Sequence, residues 1–265
     1  MRDAYELAVI GSGPGGYAAA LASARRGLRT CLIEREQWGG VCLNVGCIPT
    51  KAMTASSQFL RRVKTAERLG VRIGSYAVDY PAVRARTARI VTTLRTGLID
   101  LLRREGVELI GGVASFEAAH RLAVSPEGGA QAISAERIVI ASGARPVSGP
   151  WAFDERRVLS YRGVLSLPEL PASLLIIGGG VIGCEFASVF AAFGTAVTII
   201  EPQPHLLPSE DPEAVRWLTR RFQSEGLTIV TGTSVQRLVT SAEGVTAVLS
   251  DGSSHTAQQA LLAIG

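Results

Sequence analysis

The chain has 265 residues, 47% of them hydrophobic, with 29 glycines, 6% aromatics and a formal net charge of +4. This is ample for a buried core and points to one or two domains. The arginines are scattered along polar helix faces with no dense basic block, and the longest apolar runs are strand-length. Neither nucleic acid nor a membrane is therefore an expected partner. The N-terminus reads straight into a strand without a signal peptide, so a cytoplasmic location is expected.

Residues 6–10 form a short apolar strand. It runs into Gly11-Ser12-Gly13-Pro14-Gly15-Gly16, and a small-residue helix follows to about residue 26. A second strand, 29–33, ends at Glu34, 23 residues after Gly11. Each part has a mechanical task. Gly11 permits the tight turn, Gly13 lets a pyrophosphate approach the backbone, and Gly16 lets helix and strand pack closely. The helix N-terminus offers N–H groups to phosphates, and Glu34 can accept hydrogen bonds from a ribose diol.

Residues 39–51 follow, Gly-Gly-Val-Cys-Leu-Asn-Val-Gly-Cys-Ile-Pro-Thr-Lys. Cys42 and Cys47 are too far apart for a thioredoxin-like Cys-x-x-Cys, and their spacing is not a usual structural zinc pattern. In a reducing compartment such a pair is more often catalytic or metal-binding than a structural staple. A helix is expected over 49–69, with Pro49 in its first turn. Cys47 then sits just before a helix N-terminus, whose partial positive charge favours a thiolate. A second long helix is expected over 81–104, with Val83, Ile90, Val91, Leu94, Leu98 and Leu101 on one core-facing side.

Strands are expected at 107–110, 114–116, 121–124, 131–134 and 137–141. Ser142-Gly143-Ala144-Arg145-Pro146 follows, and Pro146, Gly149 and Pro150 mark a domain boundary. After a loop to about residue 171 the opening pattern returns. A strand over 174–177 leads to Gly178-Gly179-Gly180-Val181-Ile182-Gly183, a helix runs to 193, and a strand over 196–200 ends at Glu201, again 23 residues past the first glycine. A helix over 211–225 and strands at 227–230, 235–239, 245–249 and 260–264 complete the chain. Two complete fingerprints imply two dinucleotide sites. A carboxylate at Glu201, with no arginine in the Pro-Gln-Pro-His-Leu-Leu-Pro that follows, favours NAD over NADP. Cys31 and Cys184 read as small buried hydrophobes. His120, His205 and His255 have no ligand-type neighbours, and no metal is expected.

Two fingerprints with a Cys-x4-Cys-x-Pro-x-Lys segment after the first resemble the flavin-dependent pyridine nucleotide–disulfide oxidoreductases, and within them most the dihydrolipoyl dehydrogenases. The resemblance covers essentially the whole chain. It implies an α/β fold of two Rossmann-like dinucleotide-binding domains, 1–148 for FAD and 149–265 for NAD, with the dimer-interface domain absent. It assigns FAD contacts to Gly11, Ser12, Gly13, Pro14, Gly16, Glu34, Gly40, Val41, Cys42, Lys51, Ala114, Ser142 and Gly143. It assigns NAD contacts to Gly178, Gly179, Gly180, Val181, Ile182, Gly183, Glu201, Val235, Ala263 and Gly265.

The same resemblance implies a redox-active Cys42–Cys47 disulfide. Cys42 is then the interchange thiol and Cys47 the thiolate against the flavin. Lys51 is implied beside the flavin and Glu185 as its partner. The implied reaction passes electrons between dihydrolipoyl groups and NAD. Full-length relatives of this kind are homodimers that join 2-oxo-acid dehydrogenase complexes, and they continue beyond this sequence with a returning FAD segment and a histidine base. A truncated chain with little activity of its own is therefore expected. Another disulfide reductase, a mercuric reductase or a non-catalytic nucleotide-binding remnant stay open as alternatives.

Overall fold

The structure is a computed structural model that describes residues 4–125 and 131–265. The chain divides into two compact units, one of residues 1–49 and 88–144, the other of residues 50–87 and 145–265.

The first unit is built on β1 (Tyr5–Ile10), α1 (Pro14–Ala24), β2 (Thr30–Glu34), α2 (Gly40–Val45), the start of α3 (Cys47–Lys64) and most of α4 (Tyr80–Arg104). Strands β3 (Glu108–Gly111), β4 (Val113–Ala118), β5 (Arg121–Ser125) and β6 (Gln131–Ile140) complete it. They form one six-stranded sheet in the order β3-β2-β1-β6-β5-β4. The β3-β2-β1-β6 part is parallel and the β6-β5-β4 part antiparallel. Parallel strands are covered on both faces, which explains their unbroken apolar runs. Ala8, Cys31, Ile33, Leu122 and Ile133 fill one side, and Val9, Ala20, Leu32, Leu102 and Val107 the other.

The second unit holds β7 (Val158–Leu159), α5 (Tyr161–Ser166), β8 (Ser173–Ile177), α6 (Val181–Phe193), β9 (Ala196–Glu201), α7 (Pro212–Ser224) and β10 (Thr228–Thr231). Strands β11 (Val235–Thr240), β12 (Val245–Leu249), β13 (Ser254–Ala257) and β14 (Gln259–Leu262) follow. A five-stranded parallel sheet runs β10-β9-β8-β14-β7, and β11-β12-β13 form a separate antiparallel sheet. One face of the parallel sheet packs on helices through Leu174, Ile176, Phe186, Phe190 and Ile199. The other packs on the antiparallel sheet through Leu175, Ile177, Val245, Ala247 and Leu249. The four parallel strands β3-β2-β1-β6 of the first unit match β10-β9-β8-β14 of the second in order and direction, so the sequence repeat is a repeat of architecture over that core.

The body of α3 belongs to the second unit. Met53 is buried in its core, Arg61 binds Glu225 through two nitrogens at 3.0 and 3.1 Å and Ser188 Oγ at 2.9 Å, and Lys64 donates to Ala192 O at 3.0 Å. A guanidinium gripping a carboxylate with each side chain only 19% exposed is a firmer tie than a surface ion pair.

Several expectations are corrected. The strands expected at 131–134 and 137–141 are one strand, β6. It pairs antiparallel with β5 up to Ser134 and parallel with β1 from Ala135, so the expected break is a change of partner within one strand. The helix expected from residue 49 begins at Cys47, because the first turn needs no N–H from Pro49. It ends at Lys64, and Ala66–Leu69 is a separate 3-10 turn. On α4, Leu102 is fully buried while Leu94 is 45% exposed. Val91, Leu98 and Leu102 align at 3.6 residues per turn, whereas Leu94 stands about 60° off that line. The expected loop before residue 171 contains β7 and α5, the latter capped by Ser160 Oγ accepting from the backbone N–H of Arg162 at 3.1 Å. Strand β13 and helix α2 were also not foreseen.

Candidate functional site

Both fingerprints fold into the same device. Gly11 has φ +96°, and a Cβ there would lie 2.3 Å from Ala141 O. A Cβ on Gly16 would lie 1.7 Å from Gly11 O. In the second unit the Gly178 Cβ would stand 2.3 Å from Ala263 O, with φ +108°, and the Gly183 Cβ 2.0 Å from Gly178 O. No side chain fits at these four positions. Gly13 and Gly180 differ, for a Cβ on either meets nothing within 4 Å. Each is the N-cap of the helix that follows, α1 starting at Pro14 and α6 at Val181. The open room thus lies where helix N–H groups converge, which fits a pyrophosphate.

The acid of each repeat closes its turn. Glu34 Oε2 accepts from Ser12 N at 2.9 Å and Ser12 Oγ at 2.6 Å, and Oε1 accepts from Glu36 N at 2.9 Å. Glu201 Oε2 accepts from Gly179 N at 2.6 Å and Oε1 from Gln203 N at 2.9 Å. The segment after each acid also braces its turn. Gly39 N donates to Ser12 Oγ at 3.0 Å, and Leu207 N donates to Gly179 O at 2.9 Å. The Cys184 thiol adds a third grip on the second turn, donating to Gly179 O at 3.3 Å. Cys184 thus does more than the packing expected of it; its position one residue after Gly183 is the sequence signal for this role.

The remaining expected residues are placed as follows. Gly40 and Val41 open α2, and a Cβ on Gly40 would lie 2.6 Å from Gly13 Cα. The cysteine segment therefore begins in contact with the backbone of the first turn. Ala114 lies in β4 opposite Val124. Ser142 and Gly143 follow β6, and Ser142 Cα lines the Gly11 turn. Val181 and Ile182 are exposed beside the second turn. Val235 starts β11 in the antiparallel sheet. Ala263 N donates to Ile177 O at 2.7 Å, and Gly265 O accepts from Val147 N at 2.8 Å.

Cys42 is on α2 and half-buried, while Cys47 opens α3 and is exposed. The short turn at Gly46 separates the two helices, and a Cβ on Gly46 would lie 3.1 Å from Cys42 Cα. Lys51, one helical turn past Cys47, forms an ion pair with Glu185 of α6, as the pattern had suggested. The pair is largely exposed and contributes little to stability.

Cys31 and Cys184 are buried as expected. Burial first, and then the charge of Glu108, pushes the Cys31 thiol up to about 12. Burial first, and then Glu201, pushes Cys184 up to about 12. Iodoacetamide on the reduced native protein at pH 8 is therefore expected to label Cys42 and Cys47 and leave Cys31 and Cys184 unmodified. Peptide mass mapping checks this, and equal labelling of all four would contradict the burial. Among the described residues there is no cluster of metal-ligating side chains, and no helix is long and apolar enough to cross a membrane.

A family model described as pyridine nucleotide-disulphide oxidoreductase matches residues 5–265. The chain belongs to the pyridine nucleotide-disulphide oxidoreductase family. Among curated members, the dihydrolipoyl dehydrogenase of Bacillus subtilis is 37% identical over 265 residues, covering 98% of this chain and 57% of that protein. That of Chlamydia pneumoniae is 38% identical, with 95% and 54% covered. Among solved structures, LpdA of Mycobacterium tuberculosis superposes with a TM-score of 0.89 at 28% identity, over 98% of this chain and 58% of that one. The HOCl-induced flavoprotein disulfide reductase RclA of Escherichia coli gives 0.84 at 32% identity, over 98% and 56%. The chain thus spans a little over half the length of the oxidoreductases it matches. Its two glycine turns are the two Rossmann-type folds expected of this family.

Proposed function

We propose that the protein is an NAD-linked flavoprotein disulfide oxidoreductase of the dihydrolipoyl dehydrogenase type, with Cys42 and Cys47 as its redox pair. The observation that carries this reading is the contact of Gly40 with Gly13, which seats the cysteine helix at the first dinucleotide turn. Ser12, Gly13, Pro14 and Glu34 would hold FAD, and Gly179, Gly180, Val181 and Glu201 would hold NAD. When bound, FAD supplies the two-electron relay between the nicotinamide and the cysteine pair.

The chain's own residues carry the exchange with substrate. The Cys42 thiolate attacks one sulfur of a substrate disulfide. The S–S bond breaks, its second sulfur leaves and takes a proton, and a mixed disulfide forms at Cys42. Cys47 then attacks Cys42 Sγ, releasing the remaining substrate thiol and closing the Cys42–Cys47 bond. Run in reverse, the same steps deliver the electrons of a dithiol such as a dihydrolipoyl group. Lys51 keeps a positive charge one turn from Cys47, and Glu185 holds its ammonium in place.

The choice of NAD rests on Glu201, whose two oxygens are engaged by Gly179 and Gln203. A carboxylate fixed in this way accepts a ribose hydroxyl and repels a 2′-phosphate. Anaerobic incubation of the FAD-loaded, oxidised protein with NADH should make Cys42 and Cys47 alkylatable, at a concentration at least about tenfold below that needed with NADPH. Equal or better reduction by NADPH would sink the NAD assignment, and no new alkylation with either would sink the redox pair.

A further inference from the structure

Helix α2 carries Cys42 but lacks the means to hold itself. It has six residues, none of them buried, and no side-chain N-cap. Isolated helices of this length are unstable. Its entry runs through two successive left-handed glycines, Gly39 at φ +95° and Gly40 at φ +62°, which cost conformational entropy to order. Something outside the helix must fix it.

The hydrogen bonds converge on one side chain, Asn44. Its Nδ2 donates to Trp38 O at 2.9 Å and Gly40 O at 2.9 Å, tying the last turn of α2 to its first residue and to the loop that leads into it. Its Oδ1 accepts from Arg95 Nη1 of α4 at 3.2 Å, and the same Arg95 nitrogen also donates to Gln37 Oε1. This orientation of the amide satisfies both of its ends, for a flipped amide would set its NH2 against the guanidinium. At the other end of the segment Ser12 Oγ accepts from Gly39 N. Asn44 lies two residues after Cys42 and three before Cys47.

We propose that Asn44 is a positioning residue for the redox pair, anchored on α4 by Arg95. The inference rests on the reading that Cys42 and Cys47 cycle between dithiol and disulfide. In that cycle the two thiols lose two protons and two electrons to an oxidant disulfide, which becomes two thiols. The equilibrium depends on the effective concentration of one sulfur at the other. Ordering α2 raises that concentration and so favours the Cys42–Cys47 bond. A residue that only added stability would alter melting and leave this equilibrium unchanged.

The test is equilibration of the full chain in glutathione buffers of graded ratio, followed by acid quench, alkylation and mass mapping of Cys42 and Cys47. Asn44→Ala is expected to shift the midpoint toward the dithiol by a factor of about ten in the equilibrium constant. Asn44→Asp keeps the acceptor for Arg95 but loses both donors, and it should shift the same way. Arg95→Ala should shift less, and Arg95→Lys should recover part of that loss. If Asn44→Ala fails to fold, Asn44→Asp and Arg95→Ala carry the comparison. Wild-type midpoints in these variants would overturn the positioning role while leaving the redox pair intact. A wild-type protein that forms no Cys42–Cys47 bond at any ratio would instead overturn the redox reading, and this inference with it.

Discussion

Cys42→Ser is expected to lower NADH-driven reduction of a lipoyl disulfide by about a thousandfold or more relative to the unsubstituted chain, with both dinucleotide turns intact. The size follows from the chemistry. A serine hydroxyl is far less acidic and far less nucleophilic toward sulfur than a thiol, and removal of a covalent nucleophile typically costs three or more orders of magnitude. Cys42 contributes nothing to the core, since α2 has no buried residue, so folding should be spared. Cys47→Ser removes the same cycle at its second step. The two variants differ in which mixed disulfide can be trapped. Cys47→Ser leaves Cys42 able to retain a substrate adduct, whereas Cys42→Ser leaves only the exposed Cys47 to do so. Mass spectrometry of the quenched proteins separates the cases. An adduct that forms only in Cys42→Ser would reverse the assigned roles.

Gly183→Ala should have the second large effect, and it should fall on stability and nucleotide binding together. The added methyl would lie 2.0 Å from Gly178 O, a distance at which backbone must move. The site cannot relax easily. Gly178 is itself pressed against Ala263 O, its neighbour Gly179 is held by Glu201, Leu207 and Cys184, and Ile176 Cγ2 would also lie only 3.2 Å from the added methyl. Overpacking against fixed backbone costs about 3 kcal/mol, at the upper end of such substitutions. Urea unfolding should show that loss, and NADH affinity should fall with it. Gly180→Ala is the control. Its Cβ meets no protein atom within 4 Å, so folding should be nearly unchanged while dinucleotide affinity falls. An unaltered NADH affinity in Gly180→Ala would mean that the open room is not the phosphate site.

The parts of this fold that were legible in the sequence are those where backbone geometry admits few residue types. Gly11, Gly16, Gly178 and Gly183 stand where a Cβ collides with main chain, and Glu34 and Glu201 end strands at a fixed remove from them. Such constraints act over short stretches and leave a readable spacing. The Lys51–Glu185 pair was found because the family pattern named it, since nothing local links a residue in α3 to one in α6. What stayed hidden depends on contacts between distant segments. β6 looks like two strands because half of it serves an antiparallel meander and half the parallel sheet. Helix α2 is only six residues long, too short to show a helical period, and its Gly-Gly entry reads as loop. The Asn44–Arg95 bond joins residues whose side chains meet only after α4 has packed beside the cysteine segment. Cys184 looked like a packing residue because burial and a hydrogen bond to Gly179 O leave the same trace in sequence.

A flavin held at the first turn and the Cys42–Cys47 pair should both accept electrons from NAD(H). Anaerobic titration of the FAD-loaded, oxidised protein with NADH tests it most directly, with flavin absorbance followed to completion. The disulfide takes two electrons and the flavin two more, so full bleaching should need two equivalents of NADH per flavin, falling to one in Cys42→Ser. Complete bleaching of the unsubstituted protein at one equivalent would contradict the account, because the cysteines would then lie outside the path.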